Sequence, residues 1–268
     1  VSTQRPDWQL PAGVDRGLWE YLHDPAIAQN YDQQLAGTPL LDLDVRWLRA
    51  WCPTPGAVID LGCGTGRVAC ALTPLGYEVL SVDLAHEMLC VLRAKAQAAQ
   101  IAAPAIRVNL VELDAVRSAQ FDYAACLFST LGMIRTAAAR QRCLAHVARI
   151  LKPGGRLVLH VHNYWFNARS AAGRAWLLRD LLTGASGDRT MPAHVGVSPI
   201  TLHHFTRTSA QRALRAAGLS VRAVRPVSTH ADGRLPWAWW AARWRAYGFF
   251  LVAEKNARAV GAPLAIRG

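Results

Sequence analysis

The sequence predicts an α/β domain in which a parallel sheet is covered by helices on both faces. Three observations lead there. From Gly56 onward short apolar runs alternate with helical patterns; the first run ends in an acid and three alternating glycines; the second run also ends in an acid. Parallel strands need a crossover between them, and crossover helices cover both faces of the sheet.

Before that core, residues 17–34 place Leu18, Tyr21, Leu22, Ile27 and Tyr31 at roughly helical spacing around Pro25, which predicts two short helices. Leu40 to Trp51 is a stronger helix, with Leu41, Val45, Leu48 and Trp51 on one stripe and Pro53 and Pro55 beyond it. Residues 1–55 are expected to form an N-terminal helical cap. Strands are then expected at Val58–Leu61, 78–83, 106–111, 121–128, 156–161, 219–227 and 247–254. Helices are expected at 67–75, 84–99, 137–151 and 210–217, and Lys152-Pro153-Gly154-Gly155 is a turn. The core spans 56–255, an insertion at 163–204 leaves the fifth strand, and 256–268 is a tail.

The 268 residues and 52% apolar content suit one folded unit with an appendage. No run of about 18 apolar residues appears, as a spanning helix would need, and residues 1–15 carry no apolar signal segment, so the cytoplasm is the expected compartment. Cys52, Cys63, Cys70, Cys90, Cys126 and Cys143 contain no C-x-x-C pair; reduced thiols are expected and no metal site. The net charge of +12 is unevenly spread, with 4 Arg against 7 acids in residues 1–56 and 11 Lys or Arg against 2 acids in residues 201–268. Only three of the basic residues are lysines, and such a bias also fits the coding composition of the source genome.

The glycine turn carries the chemistry. In Asp60-Leu61-Gly62-Cys63-Gly64-Thr65-Gly66 the spacing is G-x-G-x-G rather than the G-x-G-x-x-G of a pyrophosphate turn. Glycine tolerates positive φ and lets a ligand lie against the backbone, while the next helix offers unpaired N–H groups. Asp60 would repel a pyrophosphate and attract an ammonium or sulfonium. A nucleoside-type cofactor and a plain tight turn both fit the spacing. Asp83, 17 positions after Gly66, ends the second strand, where a carboxylate can accept hydrogen bonds from two ribose hydroxyls.

The run Val58-Ile59-Asp60-Leu61-Gly62-Cys63-Gly64-Thr65-Gly66, together with Asp83, Asp114-Ala115 and the turn Leu151-Lys152-Pro153-Gly154-Gly155-Arg156-Leu157, resembles the class I S-adenosylmethionine-dependent methyltransferase family over about residues 56–255. The resemblance implies a Rossmann-like, seven-stranded, mainly parallel sheet whose last strand is antiparallel and inserted between the fifth and sixth. It implies S-adenosylmethionine as cofactor, with Gly62, Gly64 and Gly66 under its methionine and ribose portions. Asp60 would face the amino group, Asp83 the ribose and Asp114 the adenine amino group, with Ala115 beside it. Leu84 would cover an adenine face, and Leu127 or Phe128 would lie near the substrate mouth. Tyr31, in Gln29-Asn30-Tyr31-Asp32, resembles the Tyr-Asp pair preceding the core of small-molecule members; it either closes over the cofactor or packs the cap on the core.

The insertion at 163–204 is the expected lid, with Trp165, Phe166, Trp176, Leu177 and Leu178 available to line an apolar pocket, or else a flap that extends the core. His160 and His162 share a strand face, and with Tyr164 they are weak candidates for a catalytic base, against a structural role. The His203-His204 pair is a base or ligand candidate without a third partner. Trp237, Trp239, Trp240 and Trp244 lie among Arg234, Arg243 and Arg245, a composition that fits single-stranded nucleic acid, a membrane interface, or an amphipathic helix packed on the sheet or on another subunit. The expected function is methyl transfer to a small or lipophilic acceptor. The alternatives are an RNA methyltransferase using the basic C-terminal quarter, for which no catalytic signature is present, and a non-catalytic cofactor-binding interaction subunit.

Overall fold

The computed structural model describes residues 5–184, 186–191, 199–230 and 233–256, and the tail expected at 256–268 lies outside them from residue 257 on. The strands are β1 (Ala57–Leu61), β2 (Glu78–Asp83), β3 (Ala105–Arg107), β4 (Phe121–Cys126), β5 (Leu151–His162), the hairpin strands β6 (Asp188–Thr190) and β7 (Thr201–His203), then β8 (Leu219–Val227) and β9 (Gly248–Lys255). Seven of them form one sheet in the order β3-β2-β1-β4-β5-β9-β8, and β6 pairs with β7 separately. The first five main strands are parallel. β9 runs antiparallel between β5 and β8, as the family resemblance implied.

The helices are α1 (Arg16–Leu22), α2 (Pro25–Leu35), α3 (Pro39–Trp51), α4 (Arg67–Leu72), α5 (His86–Ala98), α6 (Thr130–Met133), α7 (Ala137–Ile150), α8 (Ala171–Leu182), α9 (Arg207–Ala216) and α10 (Ala242–Arg245). Period-two alternation along each strand divides the core in two. Ile59, Leu159 and Leu251 face Leu144, Val147 and Ile150 of α7 and Leu214 of α9. Val58, Val158 and Phe250 face Leu48 of α3 and Val68 and Leu72 of α4. Asp15, Asp24, Thr136 and Thr206 cap helices by accepting hydrogen bonds from backbone amides in the first turn.

Three expectations are corrected. The third strand stops at Arg107 instead of Val111: the Val108 amide makes the last ladder bond, to the Asp83 carbonyl, and the chain then leaves the sheet. The Lys152-Pro153-Gly154-Gly155 turn lies within β5, which first pairs Leu151 with Phe121 and then shifts register. The tryptophan segment is not an amphipathic helix on the sheet: only α10 is helical there, and Trp237, Trp239, Trp240 and Trp244 are exposed.

Candidate active site

Strand order reverses direction between β1 and β4, and the crevice beyond the carboxyl ends of those two strands is where a doubly wound sheet leaves room for a ligand. A pocket opens there. Its floor comes from Asp60, the glycine turn, Asp83 and Leu84; Leu127, Phe128 and Thr130 form its wall after β4; and Leu18, Tyr21, Leu22, Tyr31 and Leu35 of the cap close it from above. Gly62, Gly64, Tyr31, Leu84, Leu127 and Phe128 thus lie at the pocket as expected, whereas Gly66 does not line it.

The glycines are present for different reasons. All three have positive φ. A Cβ on Gly66 would stand 2.5 Å from Leu92 Cγ, a packing clash, while one on Gly64 would meet only Tyr31 Cε1 at 3.7 Å and otherwise enter the pocket. Gly66→Ala is therefore expected to lower the melting temperature by about 6–12 °C, from overpacking of about 3 kcal/mol. Gly64→Ala is expected to fold with a loss of roughly 1–2 kcal/mol for its left-handed backbone, while weakening a ligand seated on the turn roughly 30- to 100-fold. Thermal unfolding and ligand titration of both variants check this; the reverse pattern contradicts it.

Two carboxylates converge on the turn. Asp60 is 3% exposed, and no hydrogen bond to its side chain is found among the described residues. Burial pushes it up to about 7, against the favourable field of Arg67. A buried carboxylate facing a pocket without a partner fits an incoming cation. Asp83 Oδ2 accepts from the Gly64 amide at 2.8 Å and Oδ1 from the Ala85 amide at 2.9 Å. Burial raises its pKa, and backbone amides at Ala85, Gly64 and Leu84 hold the shift back. Each Asp83 oxygen keeps a second lone pair for a ligand hydroxyl.

The cap is clasped to this floor. Asp32 accepts from Thr65 Oγ1 at 2.6 Å and from Lys95 Nζ at 2.7 Å, and these bonds hold its pKa below the ordinary value despite the opposing effect of burial. Asn109 Nδ2 donates to the Ala12 carbonyl at 2.9 Å, and Asn109 and Leu110 line the pocket. Asn109 thus lies at the pocket, where the resemblance had implied Asp114. Asp114 is 72% exposed at its side chain and lies near Arg142 and His146, and neither it nor Ala115 reaches the pocket. The physical cause is the short β3, which brings the chain over the site two residues after Arg107. The register Asp83↔Arg107 decides this and has no local sequence signature.

The catalytic candidates are also relocated. His160 is fully buried against Phe250, at a ring distance of 4.6 Å; burial holds it down to about 3, so it is neutral, and it does not line the pocket. His162 Nε2 meets the Tyr247 hydroxyl at 3.0 Å. Burial, with His160 and His204 nearby, keeps His162 well below its ordinary pKa. Tyr164 is a strut, its hydroxyl donating to Asp180 Oδ2 of α8 at 2.9 Å. His203 pairs with Asp188, and His204 Nδ1 meets the Leu202 carbonyl. Trp165, Phe166, Trp176, Leu177 and Leu178 line no part of this pocket. Among the described residues it is the N-terminal cap that lies over the pocket, and none of the 163–204 insertion lines it.

Arg67 and Asp44 were not singled out from sequence. Arg67 lines the pocket, donates to the Leu41 carbonyl, and pairs with Asp44 at 3.0 Å. Asp44 Oδ1 stands 3.5 Å from His160 Nδ1. No hydrogen-bond partner is found for either atom among the described residues. No group of three His, Cys, Asp or Glu among the described residues could hold a metal ion.

Residues 58–155 match the protein family described as "Methyltransferase domain". The chain is 33% identical over 127 residues to the demethylmenaquinone methyltransferase of Thermus thermophilus, covering 43% of this chain and 54% of that protein. It is 31% identical over 117 residues to the ubiquinone biosynthesis O-methyltransferase of Albidiferax ferrireducens, covering 42% of this chain and 44% of that protein. The chain thus spans about half the length of these relatives. In shape it resembles the 1,6-didemethyltoxoflavin-N1-methyltransferase of Burkholderia thailandensis, with a TM-score of 0.60, 19% identity and coverage of 86% of this chain and 84% of that one. At that identity the likeness shows the fold alone.

Proposed function

We propose that this chain, which belongs to the class I S-adenosylmethionine-dependent methyltransferase family, uses the β1–β4 pocket to bind S-adenosylmethionine and transfer its methyl group to a small lipophilic acceptor. One observation carries the acceptor class. Beyond the glycine turn the pocket is lined by Leu18, Leu22, Leu35, Leu41, Met133 and Ile134, while its charged lining residues, among the described ones, are Asp32, Asp60, Asp83 and the cation Arg67. Such walls favour an apolar, uncharged molecule and repel an anionic one. The quinone methyltransferases among the relatives, by name, agree with that class.

Asp60 would hold the cofactor's ammonium and Asp83 its ribose hydroxyls. Gly64 would leave room beneath it, and Asn109, Leu110 and Leu84 would surround the adenine. The bound sulfonium supplies an activated methyl group, so the protein's part is alignment and exclusion of water. Tyr31 and Tyr21 both hold their protons: burial pushes Tyr31 up to about 12 and raises Tyr21 as well. They are hydrogen-bonding groups at neutral pH and not bases, and no histidine lines the pocket among the described residues. The acceptor accordingly attacks with a lone pair it carries while uncharged, as a neutral amine or a phenol does, and its proton passes to solvent once the methyl group is transferred. Transfer from a labelled methyl donor to a panel of neutral, phenolic and anionic acceptors tests this. Turnover confined to anionic or nucleic-acid acceptors overturns it.

A pH dependence follows from Asp60. A bound ammonium favours the carboxylate, whereas without one burial, against Arg67, pushes the group up to about 7. Binding therefore releases a proton below that pH, and affinity is expected to fall by up to about tenfold per pH unit as the medium is acidified. Calorimetry in two buffers of different ionisation enthalpy measures the released proton. Asp60→Asn should abolish the release; its persistence in that variant contradicts the assignment.

A further inference from the structure

The charge of this chain is concentrated in one part of it. Residues 1–162 carry 15 Lys or Arg against 14 Asp or Glu, and residues 163–268 carry 15 against 4. That basic part also carries most of the exposed large apolar side chains. Leu182 is 78% exposed and Trp239 84%, and Leu178, Leu181, Trp237, Trp240 and Trp244 are exposed as well. Solvent-facing apolar groups in such number mark a surface with a partner.

Their placement follows from the topology. β5 and β8 are parallel, since each is antiparallel to β9, so the insertion after His162 and the tryptophan loop between Val227 and Gly248 leave the sheet at the same edge. The pocket opens at that edge too, beyond β1 and β4. The 3-10 turn Tyr164–Arg169 joins the two apolar groups. Its Tyr164 packs on Trp176 of α8 with ring centroids 5.3 Å apart, and its Trp165 packs on Trp244 at 4.4 Å. The loop is held open by its own arginines: Arg245 donates to the carbonyls of Trp237 and Trp240 and lies over the Trp240 ring, and Arg243 lies over Trp244.

We propose that the exposed leucines of α8 and the tryptophan loop form a docking surface for an anionic lipid bilayer. Tryptophan favours the headgroup boundary, leucine the acyl region below it, and arginine the negative surface potential. The aliphatic Leu178, Leu181 and Leu182 offer nothing for a nucleobase to stack on, and guanidinium groups already lie over Trp240 and Trp244, which disfavours single-stranded RNA on the same surface. Docking in this orientation turns the edge that holds the pocket toward the membrane, the source of a lipophilic acceptor. The binding itself does not depend on methyl transfer, so its test stands apart from the catalytic one.

Sedimentation of the full chain with vesicles of phosphatidylcholine alone and with about 30 mol% phosphatidylglycerol tests the proposal. Binding to the anionic vesicles is expected, with a blue shift of tryptophan emission and weakening by salt. The triple variant Leu182→Ser, Trp237→Ser, Trp239→Ser is expected to lose at least about tenfold in vesicle affinity with unchanged S-adenosylmethionine affinity, which also reports an intact fold. Any of four results overturns the proposal: no vesicle binding at low salt, equal binding by the triple variant, tight salt-sensitive binding of single-stranded RNA in place of vesicles, or a stable dimer that already buries these tryptophans.

Discussion

Replacing Asp83 with Ala is expected to weaken S-adenosylmethionine binding more than about 100-fold, since two hydrogen bonds to a charged acceptor are lost and each is worth about 1.5–3 kcal/mol. The effect is compounded within the protein. Asp83 ties the second strand to the glycine turn through the Gly64 amide and starts α5 through the Ala85 amide. Both donors are left without this acceptor in the variant, at a cost of about 2 kcal/mol in stability. Asp83→Asn keeps one acceptor oxygen but turns an NH2 group toward the other donor, so an intermediate loss is expected. Calorimetric titration of the three proteins, with chemical unfolding to separate stability from affinity, checks the ribose assignment. Unchanged affinity in Asp83→Ala refutes it.

Replacing Asp44 with Ala is expected to destabilise the fold by about 3 kcal/mol, a fall of roughly 6–12 °C in melting temperature and as much as Gly66→Ala costs. The side chain is wholly buried, and its loss leaves the Arg67 guanidinium without its counter-charge under the pocket. Asp44→Asn should cost far less. Burial pushes the Asp44 carboxyl up to about 6, against the pull of Arg67 and the Phe128 amide, so the folded state holds the carboxyl proton to a higher pH than the unfolded chain does. An amide also offers a donor toward His160 Nδ1, 3.5 Å from Oδ1. The sign of the pH effect follows. As pH rises through the ordinary value of 3.8, the unfolded carboxyl ionises, while the folded one stays protonated up to about 6. This group's stabilising contribution is therefore complete below the lower value, is lost across that window and is level above it. The Asn variant lacks that slope, and unfolding free energies measured across the window compare the two. Equal slopes contradict a raised Asp44 pKa.

Asp44 also bears, through the Phe128 amide, on a backbone that is not relaxed. Phe128 and Ser129 follow β4 with φ of 50° and 65°, and Phe128 lines the pocket wall. A left-handed conformation at two successive non-glycine residues costs roughly 1–2 kcal/mol each. The contacts around them, among them the Ser129 amide donating to the His160 carbonyl, hold it in place. His160 therefore serves the site as part of the scaffold rather than as a base.

Much of the fold was legible because its signals are local. β2 and β8 have the bounds that their apolar runs predict, and the proline and capping residues around the cap helices mark helix ends. The glycine turn and its two acids could be recognised because positive φ, close backbone approach and a carboxylate at a strand end each demand particular residue types at fixed spacing. Asn109 was not legible. Its role depends on where β3 leaves the sheet, which is set by pairing with β2 and not by the apolar run through Val111. The same holds for the histidines after β5: alternation put His160 and His162 on one face, but what faces them, Phe250 and Asp44 in one case and Tyr247 in the other, comes from distant parts of the chain.

By itself the sequence determined the α/β class, the cofactor-type turn with Asp60 and Asp83, and the basic, tryptophan-rich C-terminal part, since each is written in contiguous residues. Only the tertiary structure decided that the N-terminal cap covers the pocket, that Asn109 rather than Asp114 faces it, that Asp44 and Arg67 support its floor, and that the tryptophans are exposed. These depend on strand register and on contacts between segments up to about a hundred residues apart, where burial and pairing override what any local pattern can specify.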